Sequence, residues 1–110
     1  MTHFKNEKDF TNSVRKAARQ LGWLEYHTYS SLKSAFGFPD LVLAKPGQMV
    51  IFAELKMPKG RMSRYQEEWE KVLRASAGCQ YYLWRPDDWD TIIEILTNGN
   101  LSSLDAYTQI

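Results

Sequence analysis

Cysteine is almost missing from this chain: Cys79 is the only one among 110 residues. That scarcity excludes an internal disulfide framework and a cysteine-built zinc cluster, and it fits a reducing, cytoplasmic setting. Histidine is nearly as scarce, with His3 and His27 alone. Neither has a partner at metal-ligand spacing, so no zinc site is expected. No apolar run approaches the ~18–20 residues of a membrane span, and the polar opening MTHFKNEKDF lacks the apolar stretch of a signal peptide. Net charge is small as well, at +1. Repeats, low-complexity tracts and linkers are absent, so one domain over residues 1–110 is expected, with its core at about 7–97.

What is present is apolar material and an uneven distribution of charge. Hydrophobic residues make up 44% and aromatics 14%, enough for a single buried core and against disorder. Through residue 66 there are 11 Lys and Arg against 5 Asp and Glu, a balance of +6; after it there are 3 against 8, a balance of −5. That asymmetry suits a molecule with one face toward a polyanion, although scattered solvated charges would give similar counts.

Phe10, Val14, Ala17, Ala18 and Leu21 recur at helical spacing from about Glu7, and Gly22 marks the stop. WLEYHTY (Trp23–Tyr29) reads as a strand. LVLA and MVIFA flank a Lys-Pro-Gly-Gln turn and read as a hairpin. Ser63 and Gln66 have the spacing of a capping box that opens a second helix, with Tyr65, Trp69, Val72, Leu73 and Ser76 as its expected inner face. CQYYLW is a fourth strand, with Cys79 expected as a small buried hydrophobe, and Pro86 opens a last helix that buries Trp89, Ile92, Ile93 and Leu96. The order α-β-β-β-α-β-α predicts a small mixed sheet with helices on both faces.

The hairpin carries charge where a core element should not: Asp40 begins it, and Glu54 and Lys56 end it. Side chains alternate along a strand, so Glu54 and Lys56 share a face. If Val42 pairs with Phe52, Asp40 falls opposite Glu54; a register shifted by one residue sends it to the other face. Two adjacent carboxylates repel unless a cation lies between them, and Mg2+ typically takes one or two carboxylates with water and phosphate oxygens. Lys56 would stand beside that ion to orient or deprotonate a water, or to steady phosphate charge. Each element alone is an ordinary strand end; together they point to metal-assisted phosphodiester hydrolysis. Lys59, Arg61 and Arg64, just beyond, form a candidate phosphate-contact cluster. The four tryptophans are mostly core by their spacing, not base-stacking platforms, and Ser63 is better explained as a helix cap than as a nucleophile.

Pro39-Asp40 followed by Glu54-Leu55-Lys56 resembles the PD-(D/E)XK nuclease signature. EKDF, LGWLEYHT, GFPDLVL, GRMSRYQEEW after the ELK, and YLWRPDDWD narrow the resemblance to the VRR-NUC family, over about Glu7 to Leu96. The resemblance is especially to the small stand-alone members from phages and bacteria. The resemblance implies a restriction-endonuclease-like α/β core, with Asp40 and Glu54 as metal-binding acids and Lys56 as the catalytic lysine. It further implies the Leu55 carbonyl as a metal ligand, Glu7 pointing into the site through a metal-bound water, and Gln66 near metal and phosphate. The last role competes with capping for one side chain. A basic residue that the family commonly has in the serine-rich loop is represented only by Lys33.

The expected activity is a Mg2+-dependent endonuclease, with Mn2+ able to substitute, cutting DNA to leave a 5′-phosphate. The stand-alone members resemble Holliday-junction resolvases, which act as two-fold dimers, so a homodimer on four-way junctions is expected. The alternatives are a flap-, nick- or duplex-directed nuclease, or a non-catalytic DNA-binding module.

Overall fold

The computed structural model describes residues 3–29 and 35–99. Helix α1 spans Glu7–Gln20; Asn6 caps it, its side chain accepting from the Asp9 N–H at 2.9 Å. Its apolar stripe is buried as expected, through Phe10, Val14, Ala17 and Ala18. Strands β1 (Leu24–His27), β2 (Leu41–Ala44) and β3 (Val50–Leu55) follow, then α2 (Arg64–Ala75), β4 (Cys79–Trp84) and α3 (Trp89–Asn98). A short 3-10 turn at Pro86–Asp88 precedes α3, where the Asp88 carboxylate accepts from the Arg85 N–H at 2.8 Å. The last helix therefore starts three residues later than its proline suggests. Cys79 is half-buried at the start of β4, less enclosed than expected.

The strands lie side by side in chain order, antiparallel from β1 to β3 and parallel between β3 and β4. Helix α2 supplies the crossover that the parallel pair requires. The hairpin register pairs Leu41 with Ala53, Val42 with Phe52 and Leu43 with Ile51. That is the pairing on which the site depends, and it carries Asp40 to the end of β3.

One sheet face is thick with core. Leu41, Leu43, Ile51, Ala53 and Leu55 pack with Phe10, Val14, Ala18, Ile92 and Leu96, all from the sheet, α1 and α3. Among the described residues, the other face carries α2 alone. There the expected inner stripe of α2 is corrected: Tyr65 and Val72 are 45% and 55% exposed, Ser76 is exposed, and Leu73 is the one buried residue of the helix. The inward row is Gln66, Trp69 and Leu73. A polar residue holds the first inward position, so apolar spacing alone places the helix face one residue out of phase. Among the described residues, no helix is long and apolar enough to cross a membrane.

Candidate active site

Asp40 sits one residue before β2, held from three sides. The Thr28 N–H donates to the Asp40 carbonyl at 2.9 Å, and the Thr28 hydroxyl to the Pro39 carbonyl at 2.9 Å. Phe38 stands edge-on to Phe52 and Trp69, at centroid distances of 6.1 and 5.0 Å. The Trp69 indole N–H donates to the Phe36 carbonyl at 3.1 Å. Between these aromatics, Gly37 (φ +79°) lies against α2 so closely that a Cβ would stand 2.3 Å from the Tyr65 carbonyl carbon and 2.5 Å from the Gln66 nitrogen. So placed, the Asp40 carboxylate accepts from the Leu55 N–H at 2.9 Å.

Glu54 is the center of the site. It is 1% exposed, although it is charged at ordinary pH in water. Its Oε2 accepts from Gln66 Nε2 at 2.8 Å and lies 3.5 Å from Lys56 Nζ. Its Oε1 is buried and has no hydrogen-bond partner among the described residues. Burial first, and then the Asp40 charge, push the Glu54 carboxyl up to about 8, with Lys56 only partly opposing them. Partial burial also raises the Glu7 carboxyl, against the pull of Lys56 and with a smaller push from Asp40.

Gln66 settles the competition over its side chain by using both ends. Its Oε1 accepts from the Ser63 N–H at 2.8 Å, completing the capping box, while its Nε2 holds Glu54. One amide thus fixes the start of α2 to the carboxylate at the end of β3.

The donor set fits a hard divalent cation. Asp40 and Glu54 offer oxygens, one of them orphaned in a buried position where a cation would satisfy it. The Leu55 N–H points toward Asp40, and the carbonyl of a strand residue points to the same side as its N–H. Among the described residues, no three His, Cys, Asp or Glu side chains converge as a metal cluster, so Asp40, Glu54 and Glu7 are not drawn together as three direct ligands. Two carboxylates and a carbonyl leave the remaining positions to water and phosphate, as Mg2+ prefers.

Of the other expected contacts, Lys59, Arg61 and Arg64 are exposed on the loop after β3 and the start of α2, and Lys33 lies outside the described residues. Sequence reasoning missed Arg85, whose Nη1 donates to the carbonyls of Met57 at 2.6 Å and Gly60 at 2.9 Å and so ties down that basic loop. Its only signal was a lone arginine at a strand end. Arg15 was missed as well: it pairs with Glu25 at 2.6 Å and its Nη1 lies 3.3 Å from His27 Nδ1.

The mixed four-stranded sheet flanked by helices is the restriction-endonuclease-like fold. More narrowly, the chain belongs to the VRR-NUC family, whose domain matches residues 2–86. A solved VRR-NUC domain superposes with a TM-score of 0.65 at 20% identity, covering 80% of this chain and 94% of that one. Hjc, a Holliday junction resolvase from the archaeal hyperthermophile Archaeoglobus fulgidus, gives a TM-score of 0.50 at 23% identity, over 70% of this chain and 66% of that one. At those identities the likeness is one of fold. No curated protein matches the chain.

Proposed function

We propose that this chain is a divalent-metal-dependent endodeoxyribonuclease that resolves four-way DNA junctions as a homodimer, its residues 1–110 forming one catalytic unit in the cytoplasm. One observation carries the nuclease reading: Asp40, Glu54 and Lys56 meet at the end of β3, where a buried Glu54 oxygen has no hydrogen-bond partner among the described residues. The junction and dimer parts draw on the family and on the fold shared with the Hjc resolvase.

Asp40, Glu54 and the Leu55 carbonyl would hold Mg2+ or Mn2+. When bound there, the ion supplies Lewis-acid chemistry, offsetting phosphate charge and making a water more acidic. The chain's own groups do the rest. Lys56 Nζ orients the attacking water and faces the charge gathering on the phosphate. Gln66 keeps Glu54 turned toward the site. Glu7 holds a water at the α1 side. In-line attack forms a bond from the water oxygen to phosphorus and breaks the bond to the 3′ oxygen, leaving a 5′-phosphate and a 3′-hydroxyl. Lys59, Arg61 and Arg64, with Lys33, would contact backbone phosphates.

The test is cleavage of four-way, flap and linear duplex DNA under Mg2+ or Mn2+ titration, read with solution mass. The expected result is metal-dependent cutting with the four-way junction preferred at least tenfold, by a dimer. Equal cutting of all three would remove junction specificity and leave the general nuclease; binding without any cutting would favour a non-catalytic module.

A further inference from the structure

A cleft of about 460 Å3 opens beside Asp40, between the outer side of α1 and the end of β1. Glu7, Lys8 and Asn12 line it from the helix, His27 and Tyr29 from the strand side, and Asp40 lines it as well. None of these residues except Asp40 and Glu7 has a part in the chemistry above. Its volume falls within the ~300–1,000 Å3 of small-molecule clefts.

Tyr29 is the anomaly there. It is 81% exposed, yet its ring is not loose: it stands 5.0 Å from the His27 ring, and its hydroxyl engages Arg15. Arg15 is itself fixed by Glu25 and reaches the His27 Nδ1. With Nδ1 accepting from Arg15, the neutral imidazole carries its proton on Nε2. Burial, and then the Arg15 charge, lower the His27 pKa and keep the ring neutral. An aromatic face is thus held in position and left open to the cleft.

Charge decides what that face receives. Arg15 is neutralised by Glu25, His27 is neutral, and Glu7 and Asp40 are carboxylates. Among the described lining residues, Lys8 is the remaining cation. A second phosphate is poorly served by such a lining. A flat, uncharged ring with hydrogen-bonding edges is well served: it would stack on Tyr29, with the Asn12 amide at its edge as both donor and acceptor. Thr28 is bonded to Asp40, so the Tyr29 backbone lies roughly one strand spacing (~4.8 Å) and one residue step (~3.3 Å) from Asp40.

We propose that this cleft is a nucleobase subsite, which seats one unstacked base of a nucleotide flanking the scissile phosphate, with Tyr29 as stacking platform and Arg15 as its positioning residue. The proposal rests on the nuclease reading and deepens it: a base inside an intact duplex cannot enter, so the subsite selects DNA with an unpaired or splayed nucleotide at the cut, as at a branch point.

The experiment measures fluorescence-anisotropy binding, in a Lys56→Ala background with Mg2+, of a branched duplex whose cut has been mapped with the wild type. The duplex carries either its natural bases or an abasic residue at each flanking nucleotide in turn. Adding Tyr29→Ala is expected to weaken binding of the intact duplex about tenfold, the lower part of a stacking contribution of ~1–3 kcal/mol. On the duplex lacking the seated base, the same substitution should change binding less than twofold. Tyr29 is exposed enough for the fold to tolerate alanine, and Asn12→Ala, on an exposed helix surface, should show the same pattern more weakly. An equal loss on both duplexes, or no loss on the intact one, overturns the subsite alone. Failure of the wild type to cut any DNA overturns the nuclease reading, and the subsite with it.

Discussion

Lys56→Ala is expected to lower the cleavage rate by at least about 10³-fold, ~4 kcal/mol of transition-state stabilisation, while DNA binding changes only a few-fold. The geometry gives the reason. Lys56 is mostly enclosed, its Nζ is 3.5 Å from Glu54, and it is the cation that offsets the charge of the carboxylate pair. Its removal takes away the group that faces the water and the phosphate. It also lets Glu54 hold its proton more tightly, which weakens metal binding, so the comparison belongs at saturating Mg2+ and at several metal concentrations. Single-turnover cleavage beside an equilibrium binding assay separates the two effects. A rate within tenfold of wild type at saturating metal would remove Lys56 from the mechanism.

Gly37→Ala is expected to damage both fold and site. At φ +79° an L side chain is strained, and the new Cβ would stand 2.3 Å from the Tyr65 carbonyl carbon. Backbone is what it meets, so relief requires the start of α2 to move away from the loop that carries Asp40. That start holds Gln66, whose 2.8 Å hydrogen bond fixes Glu54. We expect a loss of roughly 2–4 kcal/mol in stability, as for an overpacked or strained backbone site, and at least a tenfold fall in cleavage of the protein that remains folded. Gln66→Ala, which keeps the backbone but frees Glu54, should reproduce much of the activity loss with a smaller loss of stability. Wild-type melting in the glycine variant would mean that α2 is not seated against this loop.

These two residues show unequal legibility in the sequence. The hairpin was readable in part because strand side chains alternate: that put Glu54 and Lys56 on one face, while Asp40 opposite Glu54 hung on the pairing of Val42 with Phe52, which is the register found. The α1 stripe was readable for the same reason: Phe10, Val14, Ala17 and Ala18 are apolar and all turn inward. Helix α2 was misread where function overrides patterning. Gln66 faces inward because it binds Glu54, and an apolar-period reading passes over a glutamine and turns the helix toward Tyr65 and Val72. Gly37 carried a different difficulty. Its constraint comes from backbone 28 residues further along the chain, a contact that no local pattern encodes. Arg85 and Arg15 are of that kind too, single arginines whose partners lie on other elements.

The central claim is that the hairpin's carboxylate pair is built to hold a divalent cation, and metal-linked thermal stability tests it most directly. Without metal, Glu54 binds its proton more tightly in the folded chain, at about 8, than the ordinary carboxyl does at 4.5. Its contribution is therefore fully present below about 4.5 and is lost as pH rises through about 8. Melting temperature without metal should fall across that window. At pH 8, Mn2+ or Mg2+ should raise it again, by an amount that grows with the logarithm of metal concentration. Glu54→Gln should flatten the pH dependence and abolish the metal response. A wild-type melting temperature that ignores both metals at pH 8, or a metal response unchanged in Glu54→Gln, would contradict the claim.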